Sequence, residues 1–323
     1  MKIRNVICIL SVFFSTYACN TKAPKISSGK SVVDWFGKSV KIPERVNRVV
    51  PLFYVQAEIL CAIGAKEKIV GIGKVTSQSS VFLNENFPQI LNLPQVGQTN
   101  IDYEKIVALK PDIVFTGTEK PVKDRLDDLG LVSVSTYPKN LDEILKEVVL
   151  YGVVMGNEKE AHKIYLFYKS LLDSITQLSK NLSYKKRVYY IRTDALTSLG
   201  GNVLGEVFNA SGAELVTRDI GDNSTSLQLS FEDIQKLNPE VIIIRDRASV
   251  TPEDIYKDFR WKNITAVKNK MIFQEHKGWT EFRLETIFGI LEKAKWLNPK
   301  VFESFDCESE YKRFLNIVKE NNE

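Results

Sequence analysis

Two stretches of this chain are versions of one pattern. Residues 101–116 read IDYEKIVALKPDIVFT and residues 229–244 read LSFEDIQKLNPEVIII, and both the Glu104–Glu232 and Pro111–Pro239 pairs lie 128 positions apart with no gap. Each copy opens on a helix-capping residue (Asp102, Ser230), continues with an aromatic and a Glu, and sets Ile and Leu on one helical face. Each then stops at a Pro, before which helical backbone is disfavoured. An acidic residue and a β-branched run follow, and a run such as VIII, without polar alternation, suits a parallel strand covered on both faces. A chain that makes helix, stop and buried strand twice has two α/β units.

Between the copies lies NEKEAHKIYLFYKSLLDSITQLSK, residues 157–180. Ile164, Phe167, Leu171, Ile175 and Leu178 recur at helical spacing, Asn157 is placed to cap, and Glu158 and Glu160 suit the positive end of the helix dipole. No Gly or Pro interrupts it, so the spacing predicts one helix about 35 Å long, a strut between the two units. A chain of 323 residues, 44% hydrophobic and 26% charged, has enough apolar material for two cores. The net charge of +4, without a basic run interleaved with aromatics, argues against a nucleic-acid partner.

The first 18 residues carry Lys2 and Arg4, an apolar run over 6–14, and small residues up to Ala18, which reads as a secretory signal too short to span a bilayer. Cys19 after Ala18 resembles a lipobox, with Thr16 where an aliphatic residue is usual and Tyr17 bulky. The expected organisation is signal 1–18, a lipid-anchored tether 19–31, a first lobe 32–155, the inter-lobe helix 156–181 and a second lobe 182–323. In the first lobe, strands are expected at 49–54, 69–72 and 131–136, with helices at 56–63 and 141–154. Cys61 and Cys307 remain after export, and no CxxC or Cys/His spacing points to a metal site.

Several motifs in fixed order carry a family resemblance: D-x-x-G-x-x-V-x-I-P from Asp34, R-V-V from Arg48, Glu58 in the following helix, G-A-K-E-K-I-V-G-I from Gly64, P-Q-V-G from Pro94 and E-K-I-V-A-L-K-P-D-I-V-F from Glu104. Together they resemble the periplasmic substrate-binding proteins of ABC importers, in the class that takes up cobalamin, haem and ferric siderophores. The resemblance implies an α/β fold of two Rossmann-like lobes with mainly parallel sheets, bridged by one long helix. It also implies a monomer in the periplasm, tethered to the membrane, that captures a small metal chelate for a permease and ATPase complex. No cofactor or resident metal is implied. The family's exposed docking carboxylates map to Glu58 and, near the usual place now held by Asn209, to Glu206; Arg283 matches the common residue at the start of the penultimate helix, where a structural role is expected.

Ligands of open α/β sheets sit beyond the carboxyl ends of strands. That rule selects Phe53, Tyr54, Thr99 and Thr116 in the first lobe and Arg192, Arg245, Arg247 and Trp279 in the second. Guanidinium forks suit carboxylate or catecholate oxygens, and aromatic rings suit a flat chelate. The expected ligand is therefore a ferric siderophore or similar anionic iron complex, with cobalamin or haem as the alternative. Against this, Arg192 and Arg245 are equally suited to pairing with Asp194 and Asp246, and His276, a candidate axial ligand to haem iron, is better suited to solvation than to ligation. An extracytoplasmic hydrolase is disfavoured, because G-x-S-x-G, H-E-x-x-H and a complete G-x-x-x-x-G-K-[ST] loop are absent and there are 2 His in all.

Overall fold

The computed structural model describes residues 30–76, 79–138, 140–200, 202–220, 226–279 and 283–323. The signal, Cys19, most of the tether and Gly201 lie outside them. A hairpin of β1 (Ser31–Val33) and β2 (Ser39–Lys41) turns at Gly37, whose φ of +74° favours glycine. Then come β3 (Val49–Pro51), α1 (Tyr54–Ala62), α2 (Val81–Asn86), α3 (Tyr103–Ala108), β4 (Ile113–Thr116), α4 (Lys120–Asp128), β5 (Ser133–Ser135) and α5 (Leu141–Met155). The strands pair in parallel in the order β3-β4-β5. The strand expected at 69–72 is reduced to two single bridges, Val49 to Ile69 and Ile72 to Gln95. Val50 and Val114 pack with Ile106 and Leu126 on one face, while Val49, Ile113 and Phe115 face α1 and α5 on the other.

The repeat has a shared chemistry. Asp102 accepts from the Lys105 N–H at 2.9 Å and Ser230 from the Asp233 N–H at 3.1 Å, so both helices are capped as read. The residue before each Pro, Lys110 or Asn238, sits at positive φ. The acid after each Pro binds the start of the neighbouring strand: Asp112 accepts from the Asn47 and Arg48 N–H groups, and Glu240 from that of Arg187. Arg48 and Arg187 in turn donate to carbonyls at the helix ends, those of Leu109 just past α3 and of Leu237, the last residue of the second copy's helix. Each unit thus clamps helix end to strand start with an acid and an arginine.

The strut is α6 (Glu158–Lys180), one uninterrupted helix. Asn157 makes no side-chain cap. Its amide instead donates to the Ile63 carbonyl and its oxygen accepts from Lys68, tying the strut to the end of α1. The second lobe holds β6 (Lys186–Ile191), β7 (Thr197–Leu199), α7 (Asn202–Ala210), β8 (Ala213–Leu215), β9 (Ser226–Gln228), α8 (Phe231–Leu237), β10 (Val241–Ile244), α9 (Pro252–Lys257), α10 (Thr265–Lys268), β11 (Ile272–Gln274), α11 (Thr286–Leu297) and α12 (Cys307–Asn321). Its main sheet is parallel, in the order β11-β10-β6-β8. In the VIII run, Ile242 and Ile244 face one apolar cluster and Ile243 the opposite one, which is why polar alternation is missing.

The chain then returns to the first lobe. Leu284, Ile287, Phe288, Phe314 and Val318 belong to the same core as Val49, Phe115 and Ile164. Asn321 donates to the carbonyls of Ala62 and Glu160, and Asn322 to that of Cys61. Within the stretch read as the second lobe, 182–323, the apolar faces of α11 and α12 complete the first-lobe core.

Candidate functional site

Beyond the carboxyl edge of the first sheet, three turns converge. Phe53 follows β3, Gly117 follows β4, and Thr136 and Tyr137 follow β5. Gln56, in the first turn of α1, accepts from the Phe53 N–H at 3.1 Å and donates to the Thr116 carbonyl at 3.1 Å and the Thr136 hydroxyl at 3.3 Å, so one side chain holds all three turns. Gly117 lets the turn pass close to the Phe53 ring, since a Cβ there would lie 2.8 Å from both that ring and Glu119 and would force one of them to shift. Behind these turns, between α1 and α5, is a cavity of about 150 Å³ walled by Phe53, Ile59, Tyr137, Ile144, Glu147 and Arg283. Burial pushes the Glu147 carboxyl up to about 7, against a hydrogen bond from Thr136.

The facing edge of the second sheet carries the arginines. Ile191 and Ile244 are register partners on adjacent parallel strands, so Arg192 and Arg245 leave the sheet side by side. Both are half-buried, and Arg247 is exposed. The anticipated pairings are rearranged: Asp246 lies 3.6 Å from Arg247 and accepts from the Gly278 N–H at 3.1 Å, while Asp194 accepts from the Leu196 N–H.

A buried charge cluster joins the lobes beside the cavity. Arg283 donates to the Tyr54 hydroxyl at 2.8 Å, lies over the Tyr54 ring and stands 3.8 Å from Glu58. Ser80 donates to Glu58 at 2.6 Å. Glu58, Glu285 and Arg283 are 0%, 2% and 5% exposed. Burial raises both carboxyls, Glu285 well above the usual range with the Glu58 charge adding to it, and the guanidinium opposes the rise in each.

Of the predicted contacts, Phe53 lines the cavity, while Tyr54 and Thr116 stand behind it; the Thr116 side chain is buried and its carbonyl is used by Gln56. Thr99 is exposed on a bend and does not line the cavity. Trp279 is 4% exposed and packs against Phe288 and Tyr311, so its reading as a ligand contact is corrected to a core one; position after a strand did not reveal aromatic neighbours in space. The docking reading of Glu58 is corrected too, since a fully buried carboxylate held by Ser80 and Arg283 offers nothing to a partner surface. Glu206 is exposed on α7 and accepts from the Leu141 N–H at 3.2 Å. His276 is exposed, stacked on Trp279 and bonded through Nδ1 to the Lys277 carbonyl. Among the described residues no three His, Cys, Asp or Glu groups are placed to hold a metal ion, and no helix is long and apolar enough to cross a membrane. Tyr137 and Gln56 were missed although the strand-end rule could have selected Tyr137. Glu147, inside a helix, gave no signal.

A family model described as periplasmic binding protein matches residues 49–277. The chain belongs to that family. This periplasmic binding protein is 25% identical over 287 residues to the ABC transporter substrate-binding lipoprotein YvrC of Bacillus subtilis, across 84% of this chain and 87% of YvrC. It is 25% identical to the molybdate-binding protein MolA of Haemophilus influenzae over 95% of this chain and 94% of MolA. A cobalamin-binding protein of Halobacterium salinarum is 24% identical over 73% of this chain and 67% of its own length. The solved structure of MolA with molybdate superposes with a TM-score of 0.79 at 21% identity, over 90% of this chain and 97% of MolA, and shares the two-lobed fold. The periplasmic binding protein is thus a substrate-binding component of an ABC transporter, a class that hands small ligands to a permease and ATPase. Its relatives are transport proteins, which fits a binding role without turnover.

Proposed function

We propose that this protein captures an anionic metal chelate, foremost a ferric siderophore, and delivers it to its permease while held to the membrane as a monomer through lipid on Cys19. The observation that carries the reading is the pair Arg192 and Arg245, set side by side at the edge of the second sheet with Arg247 next to them. Guanidinium forks placed together suit the oxygens of a single anionic ligand. Phe53 and Tyr137 offer flat apolar contact from the opposite edge. Two relatives are named for anionic or iron ligands: MolA for molybdate, and FatB of Vibrio anguillarum, 26% identical over 51% of this chain, for ferric anguibactin. Neutral cobalamin needs no such cluster. Glu206 remains the docking carboxylate of this reading.

The test is titration of Arg192→Ala, Arg245→Ala and Arg247→Ala against a ferric catecholate, haem and cobalamin, followed by Trp fluorescence. Charge-assisted bonds to a buried anion contribute about 1.5–3 kcal/mol each, so Arg192→Ala or Arg245→Ala weakens catecholate binding by roughly tenfold to a hundredfold. Tight cobalamin binding indifferent to all three arginines overturns the reading. For the anchor, Cys19→Ser moves the protein from the membrane to the soluble fraction; a wild type already soluble after gentle lysis argues against lipidation.

A further inference from the structure

We infer that the cavity beside Glu147 is a second compartment of the ligand site, and that it takes a short apolar arm of the chelate ending in a protonated amine. The inference rests on the chelate reading above and adds the chemistry of the part that enters the first lobe. Size comes first. A cavity of about 150 Å³ is comparable with one that holds benzene in another protein, so the arm has about six non-hydrogen atoms. Its walls are largely apolar, from Phe53, Ile59, Tyr137, Pro138 and Ile144. A saturated chain or a ring is matched there, and a second charged chelating group is not.

The end of the arm is set by Glu147. It is a carboxyl on a largely apolar wall, and among the described residues the groups around it leave it without a cation. From its own helix comes the Tyr151 hydroxyl, 3.2 Å from that of Thr136; from the β5 turn comes Thr136 itself, which bonds Glu147; from α1 comes Gln56, already spent on Thr116 and Thr136. Glu119 on the rim adds a second carboxylate. Among the described residues Arg283 is the one cation in the wall, and Glu58 at 3.8 Å meets its charge. An ammonium group supplies what is missing, and the Phe53 and Tyr137 rings add faces that attract a cation.

The proton balance follows. Burial raises the empty site's Glu147 carboxyl to about 7. When the ammonium arrives, the carboxylic acid releases one proton to solvent and the amine keeps its own, leaving an ion pair. Binding of the amine arm therefore strengthens as pH rises toward 7 and levels off above it.

The experiment compares two probes, a ferric tris-catecholate bearing one 4-aminobutyl arm and its N-acetyl derivative, titrated between pH 6 and 8. The wild type is expected to prefer the amine by roughly tenfold to a hundredfold above neutrality. The preference shrinks as pH falls, and the acetylated probe carries any pH dependence that arises elsewhere in the cleft. In Glu147→Gln, an isosteric change, the two probes bind alike and the pH step disappears. Equal binding of the two probes by the wild type, or a preference that survives in Glu147→Gln, overturns the inference while leaving the chelate reading intact. Tighter binding of the amine probe at lower pH overturns it as well, since the acid would then be acting as a donor. If neither probe binds, or if Arg245→Ala leaves both affinities unchanged, the chelate reading itself fails and this inference falls with it.

Discussion

At the scale of single residues, the cluster of Arg283, Glu58 and Glu285 dominates. Two carboxyls and one guanidinium share a site from which water is excluded, so one acid stays protonated, and the more strongly raised Glu285 is the one that does. Removing the cation leaves a buried carboxylate unpaired, and Arg283→Ala is expected to cost about 3–5 kcal/mol in urea denaturation. The pH dependence has a definite sign. An acid whose folded pKa is raised binds more protons in the native state, so its contribution to stability is complete at low pH and is lost as pH rises. Glu147 and Glu292, both pushed up to about 7 by burial, complete their losses near neutrality, while that of Glu285 extends beyond. Melting curves from pH 5 to 9 should fall with pH in the wild type and less steeply in Glu285→Gln. Identical slopes in both would remove Glu285 from the role of proton carrier.

At the scale of elements, the strut decides how the lobes move. α6 runs 23 residues without Gly or Pro and its N-terminus is pinned to α1 through Asn157 and Lys68, so it has no soft point at which to hinge. Its entry is equally tight. α5 ends at Gly156 in the left-handed conformation, and a Cβ on Gly152 would lie 2.4 Å from that of Ala161 on α6, a contact open to glycine alone. X-ray scattering profiles with and without ligand should therefore nearly coincide. A large compaction on binding would mean that the connection bends elsewhere. Gly152→Val forces the two helices apart and should cost about 1–3 kcal/mol by overpacking, read from the urea midpoint.

At the scale of the whole molecule, the lobes are not independent folding units. Phe167 of the strut, Phe288 of α11 and Phe314 of α12 meet with ring centroids 5.6 to 6.3 Å apart, so the first-lobe core is closed by residues from the far end of the chain. A fragment ending at residue 181 should show no cooperative unfolding. Full-length protein truncated after Asp306 should be destabilised by several kcal/mol, since burial of a large apolar side chain contributes about 1.5–3 kcal/mol and both Phe314 and Val318 are lost. A truncated protein with the wild-type urea midpoint would show that α12 is only a cover.

From the sequence by itself came the two α/β units, the strut between them and the family, because each rests on local rules. Capping at Asp102 and Ser230, prolines at 111 and 239, and apolar spacing along α6 act within one or two turns and survive any tertiary arrangement. The arginine row was legible for the same reason, as residues just past strand ends are placed by the strand. Burial was not legible. Glu58 looked like a surface carboxylate and Trp279 like a cleft aromatic until their partners came into contact. The partner of Tyr54, Arg283, stands 229 positions away, and no periodicity reports a contact at that distance. The cavity beside Glu147 was hidden likewise, because it exists only where α1, α5 and the segment before α11 fail to fill the space between them. Local propensity determines which elements form; whether a charge meets water, a cation or an empty space is decided by long-range packing alone.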